Sequence, residues 1–321
     1  MVTVPVAAFA ASPQLQPFPM QGSKRAQVPI INQLVPGGQP RLIEPFCGSA
    51  AVSVGARRAG LVGEVLIADV NGCIVRLWRE IIDDPRGLAD RYATIWGQQF
   101  RSDELNPKQY FDKVRARYNA GSEDAAEFLF LLNRIVKAAL RYSQSGVMNQ
   151  SADGRRTGAK PSTVRQRLMA SANAMNGARV ERQDWLTSLE EATVSDVIYL
   201  DPPYQGTTNT LDKRYVSGMA VVDFENGVRA AVDRDLSLII SYDALRGPAI
   251  YGRPLDPAMG LLALDIVTGV SAQGTLLGRK TEAHETIYVS PALVKRLGGT
   301  RAVINRVSVP PCSQQPLALA A

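Results

Sequence analysis

The sequence predicts an α/β fold, a mostly parallel sheet with helices on its faces and a mainly helical insertion between two sheet-forming halves. Three observations predict it. Short apolar runs at 41–45 (RLIEP) and 64–70 (EVLIADV) alternate with helical periodicity at 51–58 and 72–82, a βαβα beginning. Strand-like runs return only at 194–200, 236–241, 262–267 and 285–290. Between these blocks, residues 85–179 change to helical patterns and polar, Arg-rich loops.

Residues 1–17, rich in Ala and Pro, read as a flexible leader without the basic start and continuous apolar stretch of a secretory signal. The run 41–45 reads as a buried strand, and small residues at 47–51 turn the chain into a helix. After the strand 64–70, Ile74, Leu77, Trp78 and Ile81 fall on one helical face. In the insertion, 125–140 reads as one apolar helix, and Trp96, Tyr118, Phe128 and Phe130 at helical spacings read as core. Residues 18–84 and 180–307 are therefore expected to form the main domain and 85–179 an inserted one. The tail 308–321, with Pro and small residues, is expected to be disordered.

At 321 residues and 45% hydrophobic, the chain can bury a large core. Its apolar runs stop far short of the roughly 18 residues that span a bilayer. Three widely spaced cysteines and one histidine, His284, offer neither a disulfide framework nor zinc-ligand spacing, so a reducing compartment is expected and no metal. The net charge is +6, but between residues 134 and 168 eight basic residues face a single acid, Asp153, a local net of +7. That window is the place for a polyanion.

The chemistry-bearing signal is Asp201-Pro202-Pro203-Tyr204, directly after a buried strand. An amino group on an aromatic ring is a poor nucleophile because its lone pair is delocalised. A carboxylate at Asp201 and a rigid carbonyl at Pro202 can each accept an N–H and favour the pyramidal amine, while Tyr204 offers a face on which a ring stacks. A strand-ending turn over a packed aromatic is the purely structural alternative.

Upstream, Glu44-Pro45-Phe46-Cys47-Gly48-Ser49-Ala50 runs from a strand through small residues into a helix, where backbone N–H groups favour a carboxylate. Asp69 ends the next strand 21 residues after Gly48, where nucleotide-binding folds hydrogen-bond a ribose. The alternative is that Asp69 caps the helix beginning near Asn71.

In this order over residues 17–290, the motifs resemble the Dam-like DNA adenine methylases, N6-adenine-specific methyltransferases that carry DPPY. The resemblance implies a Rossmann-like sheet that binds S-adenosylmethionine, with the insertion as target-recognition subdomain. Met20-Gln21-Gly22-Ser23-Lys24 is similar to the family's N-terminal segment, in which the first residue and the lysine contact the cofactor; Met20 stands where an aromatic is often found. Phe46, Gly48 and Ser49 match the Phe-x-Gly-x-Gly turn, with Ala50 in place of the second glycine. Asp69 matches the ribose-binding acid, Asp184 the acid near the cofactor's adenine, and Asp201, Pro202 and Tyr204 the catalytic tetrad. Asp201 is also expected beside the cofactor.

The resemblance further implies that Arg134, Arg141, Tyr142, Asn149, Arg155, Arg156 and Lys160 meet double-stranded DNA. It implies a monomer acting on a flipped-out base, a cytoplasmic, nucleoid-associated place in a bacterium or phage-infected cell, and room for a cognate restriction enzyme as partner. Methylation of cytosine N4 or of RNA, and an inactive DNA-binding homologue, stay open.

Overall fold

The computed structural model describes residues 2–4, 16–101, 105–143, 146–202, 221–246, 249–251, 254–270 and 282–308. Among the described residues, nine strands make one sheet: β1 (Val2–Val4), β2 (Leu42–Glu44), β3 (Val65–Ala68), β4 (Arg179–Glu181), β5 (Val197–Leu200), β6 (Ser237–Arg246), β7 (Ala249–Tyr251), β8 (Leu262–Val270) and β9 (Glu282–Val289). Their order is β1-β8-β9-β6-β5-β2-β3-β4, with β7 paired to β6. The five strands from β4 to β6 are parallel, and β9 runs antiparallel between β6 and β8. The segment read as a leader contributes β1, parallel to β8 at the sheet's edge.

The short central strands are buried on both faces, which is why they read as unbroken apolar runs. Alternate residues divide between two cores. Leu42, Val65, Ile67, Val197 and Tyr199 face one side with α1 (Val28–Gln33), α2 (Ala51–Arg58) and α3 (Gly72–Asp83); Ile43, Leu66, Ile198 and Leu200 face the other with α8 (Trp185–Glu190) and α9 (Val221–Asp233). On α3 the expected face, Ile74, Leu77, Trp78 and Ile81, is buried.

The insertion packs as four helices, α4 (Pro85–Gln98), α5 (Pro107–Asn119), α6 (Ala125–Arg134) and α7 (Pro161–Ala174). Phe111, Phe128 and Phe130 lie in the same continuous apolar cluster as Trp78 and Val54, so these helices pack as a further layer against α3 and α2, which lie between them and the sheet. The apolar run 125–140 does not continue as one helix. α6 ends at Arg134, Ile135 is extended, and Lys137 and Ala138 take positive φ in the following 3-10 turn. Ile135, Ala139 and Leu140 are buried beneath this loop, and that burial accounts for the hydrophobicity that imitates a longer helix.

From the adjacent parallel strands β2 and β5, the chain passes to β3 on one side and β6 on the other. Such a switch point opens a crevice beyond the strands' carboxyl ends. Into it open the turn after β2, Asp69 after β3 and Asp201 after β5.

Candidate active site

The turn between β2 and α2 is built around two left-handed residues. Gly48 has φ +46°, the left-handed conformation that favours glycine, and a Cβ there would lie 2.9 Å from the Met20 Sδ, a contact that the flexible Met20 side chain would have to shift to relieve. Ala50, the residue before α2, sits at φ +44° and ψ +39°. A glycine carries no penalty there, whereas an alanine costs about 1 kcal/mol or slightly more.

The turn is tied down from three sides. The Cys47 N–H donates to the Ala68 carbonyl, the Trp78 Nε1–H to the Gly48 carbonyl at 2.9 Å, and the Gly48 N–H to Asp69 Oδ2 at 3.2 Å. The other Asp69 oxygen accepts the Asn71 N–H at 2.8 Å. Asn71, not Asp69, caps α3, its side chain accepting from the Cys73 N–H. Asp69 is thereby released from the capping role and presented on the cavity wall. Burial pushes its carboxyl up to about 6 against these two backbone donors.

Opposite the turn, Lys24 Nζ lies 2.5 Å from Asp201 Oδ1 and 3.0 Å from Glu285 Oε1, and the Gln27 amide donates to Glu285 Oε2. Burial raises the Asp201 carboxyl to about 6, with Lys24 opposing and Glu285 adding to the rise. Burial disfavours the Lys24 ammonium, but the two carboxylates outweigh it and hold the group above its ordinary range. At the end of β2, Glu44 is buried and accepts the Ser53 N–H at 2.9 Å and the Ser53 hydroxyl. Burial pushes it up to about 8.

The remaining wall is aromatic. Phe46 stacks on Trp185, 5.9 Å between ring centroids, and Trp185 packs on Phe224 at 5.2 Å. Asp184 caps α8, accepting the Leu186 N–H at 2.9 Å. Met20, Lys24, Phe46, Gly48, Ser49, Asp69, Asp184, Asp201 and Pro202 all line one cavity of about 380 Å³, within the size range of small-molecule sites. Pro203 and Tyr204 lie outside the described residues. Leu140 and Glu285 carry no motif signal, and tertiary packing alone brings Leu140 to the cavity wall and Glu285 to Lys24.

The basic stretch divides. Arg141, Asn149, Arg155, Arg156 and Lys160 are exposed. Arg134, also expected to meet DNA, is 2% exposed and donates to the Pro107 carbonyl at 3.2 Å, which ties α6 to the start of α5. Tyr142 is half-buried, its hydroxyl accepting from the Asn71 amide at 3.3 Å. It stands at the shoulder of the Asp69 loop. Bridges between Ile135 and Ala152 and between Tyr142 and Met148 fold this segment back on itself, and the Gln21 N–H donates to the Ala138 carbonyl. The basic segment and the Lys24 segment thus touch. His284 pairs with Asp265 on β8 at 3.1 Å, outside the cavity lining.

A parallel-centred sheet with a small-residue turn, two strand-end acids and an Asp-Pro at its switch point defines a nucleotide-cofactor methyltransferase architecture. Residues 21–247 match the family described as D12 class N6 adenine-specific DNA methyltransferase, and the chain belongs to that family. It is 27% identical over 191 residues to the retron Ec67 DNA adenine methylase of Escherichia coli, across 58% of this chain and 62% of that one. It is 29% identical over 197 residues to the DNA N-6-adenine-methyltransferase of Escherichia phage P1, across 60% and 24%. With the type II methyltransferase M.MjaIII of Methanocaldococcus jannaschii it shares 23% identity over 184 residues, across 56% and 63%. The chain thus spans less than two thirds of the length of each of these relatives. Among the described residues, no helix is long and apolar enough to cross a membrane.

Proposed function

We propose that the chain transfers a methyl group from S-adenosylmethionine to N6 of a flipped-out adenine in double-stranded DNA. The observation that carries this reading is the placement of Asp201, at the end of β5, on the wall of the cavity that the Gly48 turn and Asp69 also line.

The donor chemistry of the cavity fits the cofactor. N–H groups at the start of α2 suit a carboxylate, Asp69 suits a ribose diol, and Asp184 beside the Phe46–Trp185 stack suits a purine with an amino edge. Once bound, S-adenosylmethionine supplies a methyl group on a positively charged sulfur.

The protein's own part is to hold the amine. Asp201 and the Pro202 carbonyl each accept one N–H of the target amino group, which pulls the nitrogen towards a pyramidal form with its lone pair free for in-line attack. The nitrogen–carbon bond forms as the sulfur–carbon bond breaks, and the surplus amine proton passes to water. No histidine base is needed. Fixing donor and acceptor at attack distance contributes on the order of 7 to 11 kcal/mol. Tyr204 is assigned the face on which the adenine stacks.

Arg141, Asn149, Arg155, Arg156 and Lys160 are assigned to the DNA, with Tyr142 at the junction between DNA and cofactor. The enzyme acts as a monomer, since one base is modified per encounter, in the cytoplasm of a bacterium or phage-infected cell and with a cognate restriction enzyme as a candidate partner.

Transfer of labelled methyl from S-adenosylmethionine to unmethylated duplex DNA, with the product nucleoside identified, tests the reading. N6-methyladenine with the wild type and none with Asp201→Ala is the expected result. N4-methylcytosine would replace the substrate, and wild-type turnover in Asp201→Ala would overturn the mechanism.

A further inference from the structure

Glu285 reaches the site from a strand that no motif marks. It lies on β9, opposite Ala244 of β6 and Ile266 of β8. Because β9 runs antiparallel to the central strands, its beginning stands at the sheet edge where β5 ends and delivers Asp201. Glu285 is 9% exposed and Lys24 6%.

The two acids take Lys24 from different directions, Asp201 Oδ1 at 2.5 Å and Glu285 Oε1 at 3.0 Å, while the second Glu285 oxygen is fixed by Gln27. An ammonium on a flexible four-carbon stem beside a single carboxylate is free to shift between its two oxygens. A second, anchored carboxylate removes that freedom. A buried charged group is stable only when its remaining hydrogen-bonding capacity is met, and here Glu285 supplies a second acceptor to Lys24.

We propose that Glu285 is a positioning residue of the methyl-transfer site: it holds Lys24 to one oxygen of Asp201, so that the other oxygen is presented to the target amine. The inference rests on the reading of the chain as an amino-group methyltransferase. Among the described residues, four groups face Asp201: Lys24 from the segment before α1, Glu285 from β9, Tyr199 from β5 and Glu44 from β2. Tyr199 is hydrogen-bonded to the Ser241 hydroxyl at 2.8 Å and buried, which holds its phenol above the ordinary range and therefore neutral. Glu44 is engaged by Ser53. Lys24 and Glu285 are the pair through which a substitution changes the field at Asp201.

The test is Glu285→Gln, which keeps the shape and removes one negative charge. Asp201 is titrated by carboxyl carbon-13 resonance in the cofactor-free full chain, and kcat is followed against pH on unmethylated duplex DNA. We expect the Asp201 titration and the acid limb of kcat to move together to lower pH, by about half a pH unit, because a like charge is removed while Lys24 remains. At pH 8 kcat falls about ten-fold, since the second anchor of Lys24 loses its charge and becomes a weaker neutral hydrogen bond. An Asp201 titration that stays in place or moves up, or a wild-type kcat at pH 8, overturns the proposal. Glu285→Asp keeps the charge and shortens the reach, so it is expected to lower kcat with the acid limb unmoved; wild-type kcat in that variant also overturns it. If the wild type transfers no methyl to DNA, the functional reading fails, and the cofactor-free titration still decides whether Glu285 governs Asp201.

Discussion

At the scale of single residues, Ala50 and Glu44 each carry a cost that can be measured. Ala50 holds a left-handed backbone where its family has glycine. Ala50→Gly relieves that strain but gives the unfolded chain more freedom, so the expected net gain is at most about 1 kcal/mol, read from urea unfolding. Glu44 has a folded pKa of about 8 against an ordinary 4.5. An acid whose folded pKa is raised favours the folded state fully below its unfolded value and loses that contribution as pH rises through the folded value. The wild type is therefore expected to lose stability relative to Glu44→Gln between pH 5 and pH 8, by a few kcal/mol at most, at roughly 1.4 kcal/mol per pH unit. Equal pH dependence in the two proteins would contradict this. Asp201, raised to about 6 by burial, accepts an N–H more strongly once ionised, so turnover is expected to rise as pH climbs through about 6.

At the scale of elements, the basic segment after α6 separates charge that packs from charge that is offered. Arg134→Ala removes a buried hydrogen bond to a charged group and is expected to cost about 2 kcal/mol of stability without altering the salt dependence of DNA binding. Arg155→Ala and Arg156→Ala remove exposed charge and are expected to leave stability unchanged. Each phosphate that such a substitution leaves without its cation flattens the slope of log affinity against log salt by about 0.9. A reversed pattern would return Arg134 to the DNA face. The same segment meets the cavity and the Lys24 and Asp69 segments through Leu140, Ala138 and Tyr142, so under the proposed function occupancy of the cavity and engagement of DNA would share structural parts.

At the scale of the molecule, the insertion and the sheet share one apolar cluster, and burial in common surface makes unfolding cooperative. Three tryptophans report on different layers: Trp78 on α3, Trp96 on α4 and Trp185 on the opposite face of the sheet. Variants that retain only Trp96 or only Trp185 are expected to show coincident urea transitions, whereas separated transitions would make the insertion an independent unit. S-adenosylmethionine at a hundred times its Kd is expected to raise the unfolding free energy by about 2.7 kcal/mol, in a single transition.

Features whose signal is local were legible in the order of residues alone. Strands buried on both faces had to be apolar runs, the Gly48 turn had to be small, and Asp201-Pro202 had to follow a strand; their order along the chain marked the family before any fold was drawn. Asp69, by contrast, read equally well as a cap or a ligand, and the choice fell to packing, which gives the cap to Asn71. The stretch 135–140 is apolar because Ile135, Ala139 and Leu140 are buried within a loop after α6, and such a loop has the same composition as a helix but not the same backbone. Arg134 and Arg155 are the same residue type in the same basic window, and what separates them is whether α5 packs over the side chain. Glu285 lies 84 residues after Asp201 and meets Lys24 only because β9 runs antiparallel; pairing at that distance depends on how the whole chain closes, and no local pattern of residues records it.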